Sequence, residues 1–176
     1  MVAIKFAVIS GADGSLKTYD VSEAKNSYSP LGCSIGNNYE QDKKAEVFRS
    51  LAIGCTLNNA SRIDFVDNDF KRVGEPTEAA LKVLAEKMCG TPSSPNNAFD
   101  FSKNTSMNHK IIATLDFTSE RKVMSTVVSG YKNAKDTLMK GAPDRVLAKC
   151  TQFISLGNNK GEMTSQIRDK LMAQVN

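Results

Sequence analysis

Apolar and polar residues alternate from Val2 to Ile9, with Ile4, Phe6 and Val8 interleaved by Lys5 and Ala7, and an extended pattern resumes at 15–20. Gly11-Ala12-Asp13-Gly14 between them supplies turn chemistry, so the chain opens as a strand pair. Residues 22–40 are rich in Ser, Asn, Gly and Tyr and contain Pro30, which reads as a long loop. At 41–57 the period changes. Ala45, Phe48, Ala52 and Cys55, joined by Leu51, recur at helical spacing, and Asn58-Asn59 ends the run. Two short strands, 63–65 and 70–73, surround the turn residues Asp67-Asn68-Asp69. A second helix opens at Pro76, which suits a first turn, and repeats Leu81, Leu84 and Met88. Glu75 and Glu78 fall where the positive end of that helix favours carboxylates. Residues 91–110, with Pro92, Pro95 and many Ser and Asn, read as a flexible connection of about 20 residues, a mobile loop or an insertion.

The apolar-rich runs 111–117 and 122–128 flank the polar turn Thr118-Ser119-Glu120-Arg121, a hairpin signature. Closing it with four residues sets Phe117 opposite Lys122 and Leu115 opposite Met124. Directly opposed residues share a sheet face, so one face carries an aromatic plate, a Leu, a Met and a lysine. A third strand, 137–139, then delivers Lys140 and Gly141, and a glycine there lets a ligand approach the backbone. Pro143 suits the first turn of a following helix and Asp144 its positive end. One ring with two cations nearby describes a pocket for something flat and anionic, such as a nucleotide. The same spacing also fits an ordinary core of Phe117, Leu115 and Met124, with Lys122 and Lys140 as solvated edge lysines. Downstream, 144–150 reads as a short helix with Val146 and Leu147 inward, 152–155 as a strand and 156–161 as a turn. A final helix at 164–175 carries Ile167, Leu171 and Val175 on one stripe. Strands pair as hairpins at 2–20, 63–73 and 111–128 rather than in βαβ order. The expected fold is α+β, a twisted antiparallel sheet of about six strands flanked by helices, in a single domain over 1–176.

Composition narrows the function classes. The 176 residues are 40% hydrophobic and 24% charged, ordinary for a packed globular domain. A net charge of +4 without a basic patch argues against a nucleic-acid partner. No run approaches the roughly 18 apolar residues of a membrane span, and 2–9 is too short for a signal peptide. Cys33, Cys55, Cys89 and Cys150 are scattered without CxxC spacing and, with the lone His109, make no metal-ligand set. Reduced thiols are expected. His109, in a polar stretch, reads as a surface residue. Neither GxxxxGK[ST] nor GxGxxG occurs, so no other phosphate cradle competes.

Three segments resemble one family. Lys140-Gly141-Ala142-Pro143-Asp144 resembles the Lys-Gly-Ala-Pro-Glu signature of P-type cation-transporting ATPases, with Asp144 in place of the usual Glu. Phe117 with Arg121-Lys122-Val123-Met124-Ser125 resembles the family's adenine-side segment, and Gly74-Glu75-Pro76-Thr77-Glu78-Ala79-Ala80-Leu81 its Gly-Glu/Asp-Pro-Thr-Glu-x-Ala-Leu motif. Tyr28-Ser29-Pro30-Leu31-Gly32 is similar to a Thr-Tyr-x-Pro-x-Gly stretch of reticulum-type calcium pumps. The resemblance implies the nucleotide-binding (N) domain of a type II pump, most like a sarcoplasmic or endoplasmic reticulum calcium pump, excised from a larger membrane protein.

On that resemblance, Phe117 stacks on adenine, Lys140 lies at the mouth or floor of the pocket with Gly141 beside it, and Lys122 sits near the ring or the phosphates. Thr77 and Glu78 stand at its edge, with Glu78 able to accept from the adenine amine. Met124 and Leu115 line the ring's other side, a core role remaining open for Met124. Ser119 stands where such pumps often carry a phosphate-reaching arginine, and the other arginine that the family uses downstream of the final helix is not in this chain. Weak ATP binding, mainly through the adenine end, is therefore expected. The family's Asp-Lys-Thr-Gly-Thr and Gly-Asp-Gly motifs do not occur, so the chain is expected to bind ATP without hydrolysing it. Mg²⁺, the phosphorylation and actuator domains, and a place on the cytosolic face of an internal membrane belong to the whole pump, while the fragment itself is expected to be soluble. The alternative is a regulatory or protein-interaction domain of the same fold that has lost nucleotide binding.

Overall fold

A computed structural model describes residues 1–22 and 28–175, the side chain of Val175 excepted. Strands β1 (Lys5–Ile9) and β2 (Leu16–Asp20) pair antiparallel, Phe6 opposite Tyr19. The Phe6 ring stacks on Tyr19 at 5.2 Å, and Tyr19, Tyr39 and Phe48 meet edge-on around it in a buried aromatic cluster. That cluster breaks the helix expected at 41–57 into α1 (Tyr39–Asp42) and α2 (Glu46–Leu57). Tyr39 is drawn inward, its hydroxyl donating to the Met88 carbonyl at 2.7 Å. Asp42 accepts from Lys17 at 2.5 Å and from the Tyr19 hydroxyl at 2.7 Å. The first turn is thus tied to the sheet, and the chain passes Ala45 in an extended conformation before α2 begins. Of the loop expected at 22–40, residues 23–27 lie outside the described set, and Val21 bridges to Ile35.

Strands β3 (Arg62–Val66) and β4 (Asp69–Val73) form a two-residue hairpin. Asp67 and Asn68 both take left-handed φ, 54° and 59°, as a type I′ turn requires. Helix α3 (Pro76–Cys89) follows with Pro76 in its first turn, as its spacing predicts, and packs along α2.

The stretch 91–110 departs from expectation. It holds a 3₁₀ turn (Pro95–Asn97) and helix α4 (Asp100–Asn108). The cause lies on α3. Glu86, 1% exposed, accepts from the Ser102 amide at 2.7 Å and the Phe101 amide at 3.3 Å. Two otherwise orphaned donors at the start of α4 are thereby satisfied by a carboxylate 15 or more residues upstream, which no local pattern reveals. Glu86→Ala should destabilise the chain by about 1–3 kcal/mol in chemical denaturation, because those amides lose their partner in a buried place. Burial raises the Glu86 carboxyl above the ordinary 4.5, the Ser102 and Phe101 hydrogen bonds opposing it. The folded chain then holds this proton more readily than the unfolded one. Its contribution to stability therefore falls as pH rises from the unfolded value through the folded one. Glu86→Gln, measured by unfolding across that range, should remove this slope.

Strands β5 (Lys110–Leu115), β6 (Val123–Ser129) and β7 (Asp136–Gly141) make a three-stranded antiparallel sheet with β6 central. Val128 on β6 packs against Ile53 and Leu57 of α2. Helix α5 (Pro143–Leu147) leads to the hairpin β8 (Gln152–Ile154) and β9 (Lys160–Glu162), the latter taking the end of the expected turn at 156–161. Helix α6 (Ser165–Val175) closes over them through Leu171, Phe153 and Met163. The fold is α+β, and among the described residues the strands pair antiparallel in four small sheets rather than one of six. Three of them have separate tasks: β1–β2 closes on the aromatic cluster, β6 on α2, and β8–β9 on α6. All four cysteines are free. His109 is half-buried, its Nδ1 2.9 Å from the Gly130 carbonyl and its ring edge-on to Tyr131.

Candidate functional site

The hairpin expected at 111–128 forms with a shifted register. Lys110 faces Ser129 and Ile111 faces Val128, as four-residue closure requires, but Ile112 is an extra residue in a bulge. Beyond it Ala113 faces Val127 and Leu115 faces Ser125 rather than Met124. One inserted residue turns all that follow to the other face. Leu115 therefore leaves the Met124 face, and Phe117 is not paired with Lys122 in the ladder but belongs to the connection between β5 and β6. The residue is 58% exposed.

On the other side of β6 the register is regular, and it builds the site. Met124 faces Lys140 and Val123 faces Gly141. Opposed side chains share a face, so Met124 and Lys140 project together toward the first turns of α3. There Pro76 starts the helix, and Thr77, Glu78 and Leu81 turn toward the sheet. Between these elements opens a cavity of about 570 Å³, walled by Leu81, Met124 and Phe117, with Glu75, Thr77, Glu78, Lys140 and Gly141 completing it. That volume lies within the roughly 300–1,000 Å³ of small-molecule sites.

Six of the eight candidate residues meet in this cavity: Phe117, Lys140, Gly141, Glu78, Thr77 and Met124. Lys122 and Ser119 do not line it, and both are exposed in the 116–122 connection. Lys122 has left-handed φ of 56°, and its carbonyl accepts from the Ala142 amide at 2.9 Å. This carbonyl also explains Gly141. A Cβ there would stand 2.3 Å from the Lys122 oxygen and 2.7 Å from the Val123 Cα, so the glycine is demanded by the approach of two strands, not only by a ligand. Glu75 and Leu81 also line the cavity. Both lie inside the Gly74–Leu81 motif, but helix-start chemistry and helix packing account for them from the sequence alone.

The charged centre is an ion pair. Lys140 Nζ lies 2.6 Å from Glu78 Oε1, the two side chains 26% and 15% exposed, and also donates to the Asn58 carbonyl. The other carboxylate oxygen of Glu78 accepts from the Ala60 amide at 3.0 Å. One turn along α3, Lys82 donates to the Ser61 carbonyl at 2.5 Å, and burial pushes its ammonium below the ordinary lysine range. Burial likewise raises the Cys55 and Cys89 thiols to about 11, so neither offers a thiolate near neutrality.

Among the described residues no group of three or more His, Cys, Asp and Glu side chains gathers as a metal site, and no helix is long and apolar enough to cross a membrane. Glu78 is engaged by Lys140 and Ala60, which leaves Glu75 beside it as a poor seat for magnesium. The cavity holds no nucleophile paired with a base. It offers an apolar slot with a ring at one wall, one ammonium, and two carboxylates able to accept hydrogen bonds.

A family profile described as "P-type ATPase, cytoplasmic domain N" matches residues 47–176. Calcium-transporting ATPase 4, endoplasmic reticulum-type, from Arabidopsis thaliana is 30% identical over 183 aligned residues, covering 99% of this chain and 17% of that protein. Calcium-transporting ATPase 3, endoplasmic reticulum-type, from the same plant is 28% identical over 174, covering 90% and 17%. The chain thus spans about a sixth of the length of these relatives. The matched span runs from α2 to the chain's last residue and includes every element that builds the cavity. This chain belongs to the family of P-type ATPase cytoplasmic N domains.

Proposed function

We propose that this chain is the ATP-holding domain of a calcium-transporting P-type ATPase and grips the nucleotide chiefly by its adenine. The observation that carries the reading is the convergence of Phe117, Met124, Leu81, Lys140 and Glu78 on one cavity from three separate sequence motifs. A purine offers an apolar π-face for the ring and the Leu81–Met124 wall, an amine for a carboxylate, and ring nitrogens for an ammonium. Charge favours the base end over the phosphates. Glu75 and Glu78 oppose Lys140 alone in the lining, which would repel a triphosphate placed deep inside. The phosphates then extend past the mouth, where Ser119 offers no cation.

The relatives' names supply the calcium and the endoplasmic reticulum membrane. In a whole pump of that kind the domain's task is positioning: it presents the γ-phosphate to an aspartate on a neighbouring domain, moving as a rigid body. Phosphorylation and actuator domains are its partners in this reading, and the domain stands on the cytosolic side. By itself the chain binds and does not hydrolyse.

Isothermal titration with AMP tests the reading. Phe117→Ala should weaken AMP about fivefold or more, since stacking on an aromatic contributes about 1–3 kcal/mol per base. Ribose 5-phosphate should bind neither protein measurably. Equal AMP affinity in both proteins would remove the stacking role.

A further inference from the structure

Asn58 does not itself line the cavity, yet its side-chain amide and its main-chain carbonyl are directed at the strands that carry it. It is 1% exposed and ends α2, its amide donating to the Gly54 carbonyl at 3.0 Å. Its side-chain nitrogen donates to the main-chain carbonyls of Met124 on β6, at 3.2 Å, and Leu138 on β7, at 3.3 Å. Its side-chain oxygen accepts from the Thr126 hydroxyl at 2.9 Å, and its backbone carbonyl accepts from the Lys140 ammonium. Thr126 faces Leu138 and Met124 faces Lys140, so one asparagine clamps two rungs of the β6–β7 ladder and holds the side chain of one of them.

We propose that Asn58 is a positioning residue that sets where Lys140 and Met124 stand in the cavity. The inference rests on the nucleotide reading above and adds a residue that neither the motifs nor the lining includes. Its physical basis is donor counting. A lysine ammonium has three N–H donors. The Asn58 main-chain carbonyl takes one and Glu78 another, which leaves a single donor for a ligand. The carbonyl stands where it does because the Asn58 side-chain amide ties the end of α2 to β6 and β7, and Asn58→Ala keeps the carbonyl but removes that tie. An ammonium on a free four-carbon stem would lose rotamer freedom on binding, and fixing it beforehand removes that loss. A buried amide that only completed the end of α2 would not need to bridge both strands.

The test uses the intact chain with Asn58→Ala and Thr126→Val, each alone and combined with Lys140→Met, titrated with AMP. Either change should weaken AMP roughly fivefold or more where Lys140 is present and less than twofold where it is Met, a non-additivity that marks action through Lys140. Equal losses in both backgrounds would overturn the proposal, since a general loosening of the fold lowers affinity whatever stands at 140. The second readout needs no nucleotide. The nitrogen-15 signal of the Lys140 ammonium, slowed in exchange by its two acceptors, should be visible in the parent chain and broadened or lost in both variants. A signal unchanged in the variants would overturn the proposal too. If the parent chain fails to bind AMP, the nucleotide reading fails, while the ammonium signal still decides whether Asn58 holds Lys140. Thr126→Val, which removes one hydroxyl and keeps the side-chain shape, carries both arms if Asn58→Ala does not fold.

Discussion

Lys140→Glu should abolish AMP and ATP binding and lower the stability of the free chain by about 2–3 kcal/mol. The ammonium it removes stands 2.6 Å from Glu78 and holds the Asn58 carbonyl at the end of α2. A carboxylate in its place faces another carboxylate in a half-buried cavity that also contains Glu75. Partial exposure of the pair keeps the loss at or below the lower end of the roughly 3–5 kcal/mol that breaking a fully buried pair costs. The comparison that separates charge from packing is Lys140→Met, which removes the ammonium without adding the repulsion. It should lose less stability than Lys140→Glu in urea unfolding and should still bind AMP more weakly than the parent chain. If Lys140→Glu binds AMP as the parent does, Lys140 is a structural residue and the cavity has another occupant.

Gly141→Ala is expected to act through the backbone. The added methyl would meet the Lys122 carbonyl oxygen at 2.3 Å and the Val123 Cα at 2.7 Å, and neither is the movable end of a side chain. The strands must separate at their last rung, breaking the hydrogen bond from Ala142 to Lys122 and shifting Met124 and Lys140 with it. A loss of about 2–4 kcal/mol in denaturant unfolding is expected, the range of severe overpacking. AMP affinity should fall together with stability. A fully stable Gly141→Ala chain with weakened AMP binding would instead assign the glycine to ligand approach alone.

Much of this architecture is local and therefore readable in the residues. Helix α3 announces itself through Pro76, its carboxylates and the Leu81–Leu84–Met88 stripe, and the β3–β4 turn through Asp67-Asn68. The residues of the cavity were legible because they lie in three motifs, two of them on rungs or turns with regular geometry. What was not legible depends on partners distant in sequence. The bulge at Ile112 lies in an unbroken apolar run, Ile111-Ile112-Ala113, where any of the three could be the extra residue, and it moved Leu115 off the Met124 face. Helix α4 depends on Glu86, fourteen positions before its first residue, and the break between α1 and α2 on an aromatic cluster that draws in Tyr39. Asn58 reads in sequence as a helix stop, and only the fold shows its amide spanning two strands. Lys122, set near the ring or the phosphates by its motif, lies outside the cavity lining, and its carbonyl forms the strand contact with Ala142.

On this reading the base of a nucleotide occupies the cavity between α3 and β7. Amide-shift NMR of the chain titrated with ATP and, separately, with AMP tests it most directly. Saturable shifts are expected at Thr77, Glu78, Leu81, Met124, Lys140 and Gly141, nearly as large with AMP as with ATP. No shifts at millimolar ATP in a well-folded sample would contradict it, and so would shifts confined to residues outside the cavity.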